Sequence, residues 1–151
     1  MSTGLSLSFV SIILIKNSSK DVQTQSENLL SFNLFLIDDT NSLTSLTIGS
    51  GLQSIGDKLA GGAKLTSITI SPQNTSFVLE DNLLLTADGK ELIKATVQST
   101  GTIPDTVETI RGYAFESYSN ITSVVIPSSV KSIGEDAFYY SDKLTSVVIS
   151  D

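Results

Sequence analysis

One six-residue stretch, Leu144-Thr-Ser-Val-Val-Ile149, recurs along this chain and constrains its fold more than any other feature. Earlier copies begin at Leu43, Leu65 and Ile121, and the neighbouring copies at each end of this series are about 22 residues apart. A period of this length is typical of chains that coil into stacked repeats, in which each repeat buries its apolar face against its neighbours. We therefore predict one elongated, β-rich domain of short parallel strands joined by turns or short helices.

Composition excludes several classes of partner and site. The 151 residues include 9 basic and 16 acidic ones, for a net charge of −7, and the basic residues are scattered. Nucleic acid and anionic membrane surfaces are therefore not expected partners, because both bind clustered Lys and Arg. The chain has no Cys and no His, which excludes disulfides and the usual zinc and copper sites.

Paired acids at Asp38-Asp39 and Glu135-Asp136 are the remaining candidates for a metal site. Neither pair lies in a loop of alternating oxygen ligands with a glycine, which a calcium site of the EF-hand type requires. We expect solvated turn acids there, no metal and no cofactor.

The N-terminal residues 1–28 are distinct from the repeats. Leu5 to Ile15 is the most apolar run, and it is too short to span a bilayer. It has the length of a secretory signal but lacks a preceding Lys or Arg and a following A-x-A-like site, so a strand that caps the stacked repeats is the other interpretation. Lys16 to Asn28 is polar and indicates a loop or a degenerate strand.

The last two repeats match position for position at a constant offset. The matching sets are Ile103-Pro104, Val107, Ile110 and Ala114-Phe115, and Ile126-Pro127, Val130, Ile133 and Ala137-Phe138. Each proline ends a strand because it cannot donate to a continuing ladder. Phe115 and Phe138 are predicted to stack inside the repeats.

Two substitutions interrupt this pattern. Leu59-Ala60 replaces Ala-Phe in an earlier repeat, which predicts a gap in the aromatic column. Arg111 replaces the glycine found at Gly56 and Gly134. A positive φ is therefore not needed at this position, and we expect glycine to be preferred there rather than required.

An insertion lengthens the third repeat. The segment from Ile70 to Ile103 is longer by about ten residues than the other repeats allow. Asp88-Gly89 stands between two apolar stretches in this insertion, and Asp-Gly is a strong hairpin signal. We predict a β-hairpin at about residues 74–98 that projects from the repeats or packs along them.

The unit I-P-x-x-V-x-x-I-x-x-x-A-F followed by L-T-S-V-x-I resembles the BspA-like class of leucine-rich repeats, and each six-residue copy fits the L-x-x-L-x-L strand pattern. The resemblance covers Ile103 to Ile149 and Leu43 to Ile70, with a weaker match from Leu29 to Thr40. It implies a leucine-rich-repeat solenoid over residues 29–151. It also implies an extracellular or cell-surface protein, since such repeats occur in bacterial surface antigens and on parasitic protists and are linked to adhesion and host-protein binding.

Alternation along the strands predicts a flat, uncharged outer face. Its residues are Ser45, Thr47, Ser67, Thr69, Ser123, Val125, Ser146 and Val148. Thr and Val also suit a pleated sheet, so these columns either stabilise the sheet or bind a ligand.

Three Asn-x-Ser/Thr triplets predict possible glycosylation at Asn17, Asn74 and Asn120, provided that the protein is secreted by a cell that glycosylates. All three lie in expected loops or at a strand entrance.

An enzyme is the least expected class, because the chain lacks a His base, a Cys nucleophile, a G-x-S-x-G elbow and nucleotide-binding loops. The preferred interpretation is a secreted or cell-surface adhesion module that binds a protein or glycan on another cell or host through the outer face. The alternative is a structural subunit that self-assembles end to end. No capping segment follows the strand Leu144 to Ile149, and an uncapped end exposes unpaired strand groups. We therefore expect either that more repeats follow in a longer protein or that another chain covers this end.

Overall fold

The structure is a computed structural model that describes residues 44–56, 59 and 65–151, together with the backbone of residues 21–23. The described residues form ten β-strands and no helix. The strands are β1 Asp21–Gln23, β2 Ser45–Ile48, β3 Ser67–Ile70, β4 Phe77–Glu80, β5 Leu83–Thr86, β6 Glu91–Ala95, β7 Thr109–Ile110, β8 Ser123–Ile126, β9 Ser132–Ile133 and β10 Ser146–Ile149. The predicted solenoid is confirmed, and turns rather than short helices connect its described strands.

The six-residue copies form parallel strands that pair in the register of the repeat. In the first sheet, of order β1-β2-β3, Ser45 lies opposite Ser67 and Ile48 opposite Ile70. Strands β8 and β10 form a second small sheet in the same way. Leu46 and Ile48 point into the core while the residue between them is exposed, so the predicted alternation holds.

Each later coil also contributes a short strand that the sequence did not indicate. β7 and β9 pair in parallel, with Ile110 opposite Ile133, and they extend a five-stranded sheet of order β4-β5-β6-β7-β9. Both isoleucines belong to the segments that we expected to be simple connections. A strand of this length is too short to show alternation, which is why the pattern gave no signal.

The predicted hairpin forms at Asp88-Gly89, where β5 and β6 pair antiparallel, and a further strand, β4, pairs with β5. The hairpin does not project from the solenoid; of the two expected positions, packing along the coils is the one observed. Its side chains enter two separate hydrophobic clusters: Leu84 and Ile93 enter the first, and Leu83, Leu85 and Leu92 enter the second. The hairpin therefore separates two cores and is buried on both faces.

The predicted aromatic stack is confirmed. The rings of Phe115 and Phe138 are 5.1 Å apart at an angle of 6°, and Tyr118 meets Phe115 edge-on at 5.5 Å. In the earlier coil Leu59 is buried in the first cluster, while residue 60 lies outside the described residues.

Gly134 is required by a close approach between coils, which corrects the expectation that glycine is only preferred at this position. The sequence indicated that no positive φ is needed at this position, and the φ of Gly134 is indeed not positive. A Cβ on Gly134, however, would lie 2.2 Å from the backbone nitrogen of Gly112 and 2.8 Å from the Arg111 carbonyl carbon. Backbone atoms cannot move aside as a flexible side chain can.

Gly134→Ala should therefore lower the free energy of unfolding by about 1–3 kcal/mol, because the two coils must separate to admit the methyl group. Urea titration followed by circular dichroism measures this loss. Ser128→Ala, at an exposed turn position, is the control and should stay within about 0.5 kcal/mol of the parent. Equal stability of the two variants would contradict the steric explanation.

The N-terminal expectations are tested only in part. β1 lies within the polar stretch and pairs in parallel with β2, so at least Asp21–Gln23 is a strand rather than a loop. The apolar run Leu5 to Ile15 and the connection Leu29 to Thr40 lie outside the described residues, and the division at residue 28 stays a prediction. Within the described part of the chain, no helix has the length and apolar character needed to cross a bilayer.

Candidate binding face

The structure places the predicted face residues on one side of the repeat strands. Pairing puts Thr47 opposite Thr69, and Val125 opposite Val148. All eight predicted residues are exposed except Ser45, which is half-buried. The register therefore produces the two expected columns within each sheet.

The two sheets are not neighbours, so the predicted columns are not continuous from Ser67 to Ser123. The coil of residues 98–103 lies between them in the repeat, and Thr100 and Thr102 take the two column positions there. Sequence reasoning missed both residues. The signal was present, because Ile103-Pro104 precedes Ile126-Pro127 by one full repeat and thus places Gln98 to Ile103 in strand register.

The ladder is broken at this intervening coil. Gly101 has a φ of +80°, a conformation that a regular strand does not contain. Side chains replace the ladder partners: the Thr100 amide donates to Asp81 Oδ2 at 2.9 Å, and the Gly101 amide donates to Ser99 Oγ at 3.0 Å. A backbone bond from the Val97 amide to the Leu65 carbonyl, at 2.8 Å, still joins the start of this coil to the coil below.

Asp81 reaches this break from the turn between β4 and β5. Asp81 and Asn82 have φ values of 44° and 59°, which are typical of the two-residue type I′ hairpin turn. Hydrogen bonds from the Thr100 hydroxyl, at 2.5 Å, and from the Thr100 amide hold the pKa of the Asp81 carboxyl below its usual value. The carboxyl group of Asp81 is therefore ionised at neutral pH. The eight predicted face residues in the two columns are all uncharged.

A neighbouring threonine column has a structural role and is not part of the face. The Thr66 hydroxyl donates to the Thr44 carbonyl at 2.9 Å, and the Thr145 hydroxyl donates to the Thr122 carbonyl at 3.1 Å. These bonds join consecutive coils, which explains why threonine recurs at the second position of the six-residue stretch.

The outer face changes character along the solenoid. Thr47 and Thr69 present hydroxyl groups at one end, whereas Val125 and Val148 are 55% and 50% exposed at the other. Valines that are about half exposed can contact an apolar surface of a partner favourably, because binding then removes their apolar area from water.

Two of the predicted glycosylation positions have structural hydrogen bonds. The Asn74 amide nitrogen donates to the carbonyls of Gly49 and Leu52, at 2.7 and 2.9 Å. The Asn120 amide donates to the Val97 carbonyl. A glycan replaces one amide hydrogen, so modification of Asn74 would break one of its two bonds. Asn17 lies outside the described residues, and use of any of the three stays a prediction.

A group of charged side chains lies at the start of strands β6, β7 and β9 of the five-stranded sheet. Glu108 bridges Lys90 at 2.9 Å and Lys131 at 2.5 Å, beside an open groove of about 420 Å³. These pairs hold the pKa of Glu108 below its usual value. Among the described residues, no three Asp or Glu side chains come close enough to hold a metal ion.

Unlike the pairs of Glu108, the ion pair between Lys94 and Glu116 is buried, and it lies between the hairpin and the following coil. Lys94 is 1% exposed, its Nζ donates to the Tyr113 carbonyl at 2.8 Å, and Glu116 Oε2 lies 3.7 Å away. Burial lowers the pKa of Lys94 to about 8 despite the attraction of Glu116. The sequence gave no sign of this pair, because its members are far apart along the chain and belong to different elements.

Solved structures support the fold. The chain is similar to the pneumococcal vaccine antigen PcpA, with a TM-score of 0.66 and 23% identity over 70% of this chain and 27% of that one. It is also similar to a leucine-rich repeat protein from Eubacterium ventriosum, with a TM-score of 0.57 and 23% identity over 72% and 36% of the two chains. A leucine-rich cell surface protein from Faecalibacterium prausnitzii is similar as well, with a TM-score of 0.60 and 28% identity over 73% of this chain and 34% of that one.

The chain thus spans between 27% and 36% of the length of these three proteins. A comparison with curated proteins finds no significant match. The profile of the BspA type leucine-rich repeat region matches six copies, in residues 14–82 and 91–151. Because these copies cover well over half of the sequence, the chain belongs to the BspA-type leucine-rich repeat family.

Proposed function

We propose that this chain is a non-enzymatic binding module of a cell-surface or secreted protein, and that it recognises a protein on another cell or host through its outer face. The observation that carries the proposal is the register of the repeat strands, which presents uncharged hydroxyl and valine side chains in exposed columns. Leucine-rich repeats are typically binding rather than catalytic folds. The cell-surface relative from Faecalibacterium supports the location.

A rigid face of this kind binds without chemistry. The strands are fixed by their ladders and by the cores beneath them, so the face loses little conformational entropy when a partner docks. The exposed valines provide apolar contacts, and the threonine hydroxyls provide hydrogen bonds that fix orientation.

The proposal predicts that Val125→Glu combined with Val148→Glu weakens binding at least about tenfold, because two buried carboxylates would lose their hydration at the interface. Flow cytometry with cultured epithelial cells and binding to immobilised fibronectin and mucin are the measurements. Val78→Glu is the matched control, since Val78 is an exposed valine of strand β4 and not a face residue. Binding that the double variant retains in full would contradict the proposal.

A second candidate is end-to-end self-assembly of this chain through the surface of the last described coil. Val147 and Ile149 are 46% and 69% exposed, whereas Val124 and Ile126, at the same positions one coil earlier, are 1% and 2% exposed. Tyr139 and Tyr140 are exposed on the same coil. A second copy stacked on this surface would bury them as the coils within the chain bury theirs.

Sedimentation equilibrium over a concentration series tests the assembly. A dimer or filament that Val147→Lys with Ile149→Lys abolishes would support it. A monomer at every concentration would contradict it and leave the binding-module proposal standing.

A further inference from the structure

Asp81 lies where the insertion reaches the outer face. Insertions in repeat proteins commonly lie on the binding face. This one carries a charged residue to the break between the two small sheets, beside the column residues Thr100 and Thr102. The insertion is also the one departure from the repeat period in the described coils, so its tip distinguishes this solenoid from a uniform one.

The carboxylate is held in a fixed orientation. Asp81 Oδ2 accepts from Ser99 Oγ at 3.2 Å, from the Thr100 amide at 2.9 Å and from Thr100 Oγ1 at 2.5 Å. Within the described residues, Oδ1 receives no hydrogen bond, and none of the four ion pairs includes Asp81. An oriented carboxylate with one oxygen open to solvent has little rotamer entropy left to lose on pairing.

The column residues beside Asp81 carry no charge. The Thr100 and Thr102 hydroxyls hydrogen-bond to each other at 3.0 Å and continue the polar contact onto the face. The columns on either side are uncharged, with hydroxyl groups toward Thr69 and an exposed valine at Val125. A single charge among uncharged residues contributes more to specificity, by favouring a partner of opposite charge, than to overall affinity.

We propose that Asp81 is the specificity centre of the binding face and pairs with a lysine or arginine side chain of the partner protein. This inference rests on the proposed function. The partner's basic group would bind Oδ1 of Asp81, while an adjacent apolar residue of the partner covers Val125. The net charge of −7 favours the approach of a basic surface over an acidic one.

A random peptide library displayed on phage, selected on the immobilised whole chain, tests this pairing. Peptides that bind should share a Lys or Arg at one position and should lose that preference when selected on Asp81→Asn. Asp105→Asn, an exposed aspartate beside the groove that Glu108 lines, is the matched control and should select the same peptides as the parent.

One selected peptide then gives a thermodynamic cycle. Replacing its basic residue by norleucine should weaken binding to the parent about tenfold and should change binding to Asp81→Asn little. Binding to the parent should also weaken as salt is raised. Circular dichroism shows whether Asp81→Asn is folded. If it is not, the norleucine and salt measurements on the parent still test whether the basic residue of the peptide contributes to binding.

The outcomes separate the inference from the function on which it rests. Selected peptides without a basic residue, or with equal affinity for Asp81→Asn, would overturn the role of Asp81. If Val125→Glu still abolishes their binding, the face stands as the site. Peptides that bind independently of Val125, or a library that yields no binder, would overturn both.

Discussion

Lys94→Met should lower the free energy of unfolding by about 1–3 kcal/mol, because it leaves the Tyr113 carbonyl without its donor and the buried Glu116 carboxylate without its cation. The loss is smaller than for an ordinary buried ion pair because the substitution also removes the cost of burying the lysine charge. Glu116 Oε2 is buried and has no hydrogen-bond partner. The ammonium group of Lys94, 3.7 Å away, is the positive charge that balances it. Methionine fills a similar volume but offers no charge. Urea titration of the parent and the variant at neutral pH measures the difference.

The double variant Lys94→Met with Glu116→Leu is the control for this loss. Removing both charges removes the desolvation cost, so most of the stability should return. A double variant as unstable as the single one would show that packing around the Lys94 stem, rather than the unpaired carboxylate, causes the loss.

The same lysine makes stability depend on pH. Its pKa is about 8 in the folded protein against an ordinary value of 10.5, so the unfolded chain binds more protons between these values. The free energy of unfolding should therefore rise with pH above about 8, and Lys94→Met should lack this rise. Burial raises the pKa of Tyr118, which opposes the rise in stability above about pH 10, so the two proteins should be compared below that pH.

Phe115→Ala should lower the free energy of unfolding by about 3–5 kcal/mol, and Phe138→Ala should lower it by roughly half as much. Phe115 is fully buried and contacts both Phe138 and Tyr118, whereas Phe138 is only partly buried and stacks on one ring. The cavity left at Phe115 is enclosed on all sides. Urea titrations of the two variants give the comparison.

The pair of variants also tests how the coils transmit stability. In a stacked repeat each aromatic ring stabilises its own coil and the next one. Equal losses of stability in the Phe115 and Phe138 variants would contradict this model. They would mean that the partial exposure of the Phe138 ring does not reduce its contribution to stability.

The parts of the fold that repeat were predictable from the sequence. The offset between copies becomes the strand register directly, so Thr47 and Thr69, or Val125 and Val148, lie opposite each other for the same reason that they align in sequence. The aromatic stack follows from the same offset. A periodic sequence thus determines its own neighbours.

The parts that do not repeat were not predictable to the same degree. The Asp-Gly signal located the hairpin turn, but nothing in the alternation of β5 indicated that Leu83 and Leu84 face different cores. The Asp-Asn turn that places Asp81 on the face was overlooked because the insertion was interpreted as one hairpin. Gly134 depends on the backbone of another coil, which no local pattern records.

The position of the hairpin between two cores has a consequence for local opening of the protein. Opening either end of the solenoid exposes one side of β5 and β6 but leaves the other side packed, so their amides become accessible to solvent only when both cores dissolve. Deuterium should therefore enter the hairpin last and the repeat strands earlier. The insertion that interrupts the repeat in the sequence would then be the last part of the fold to exchange.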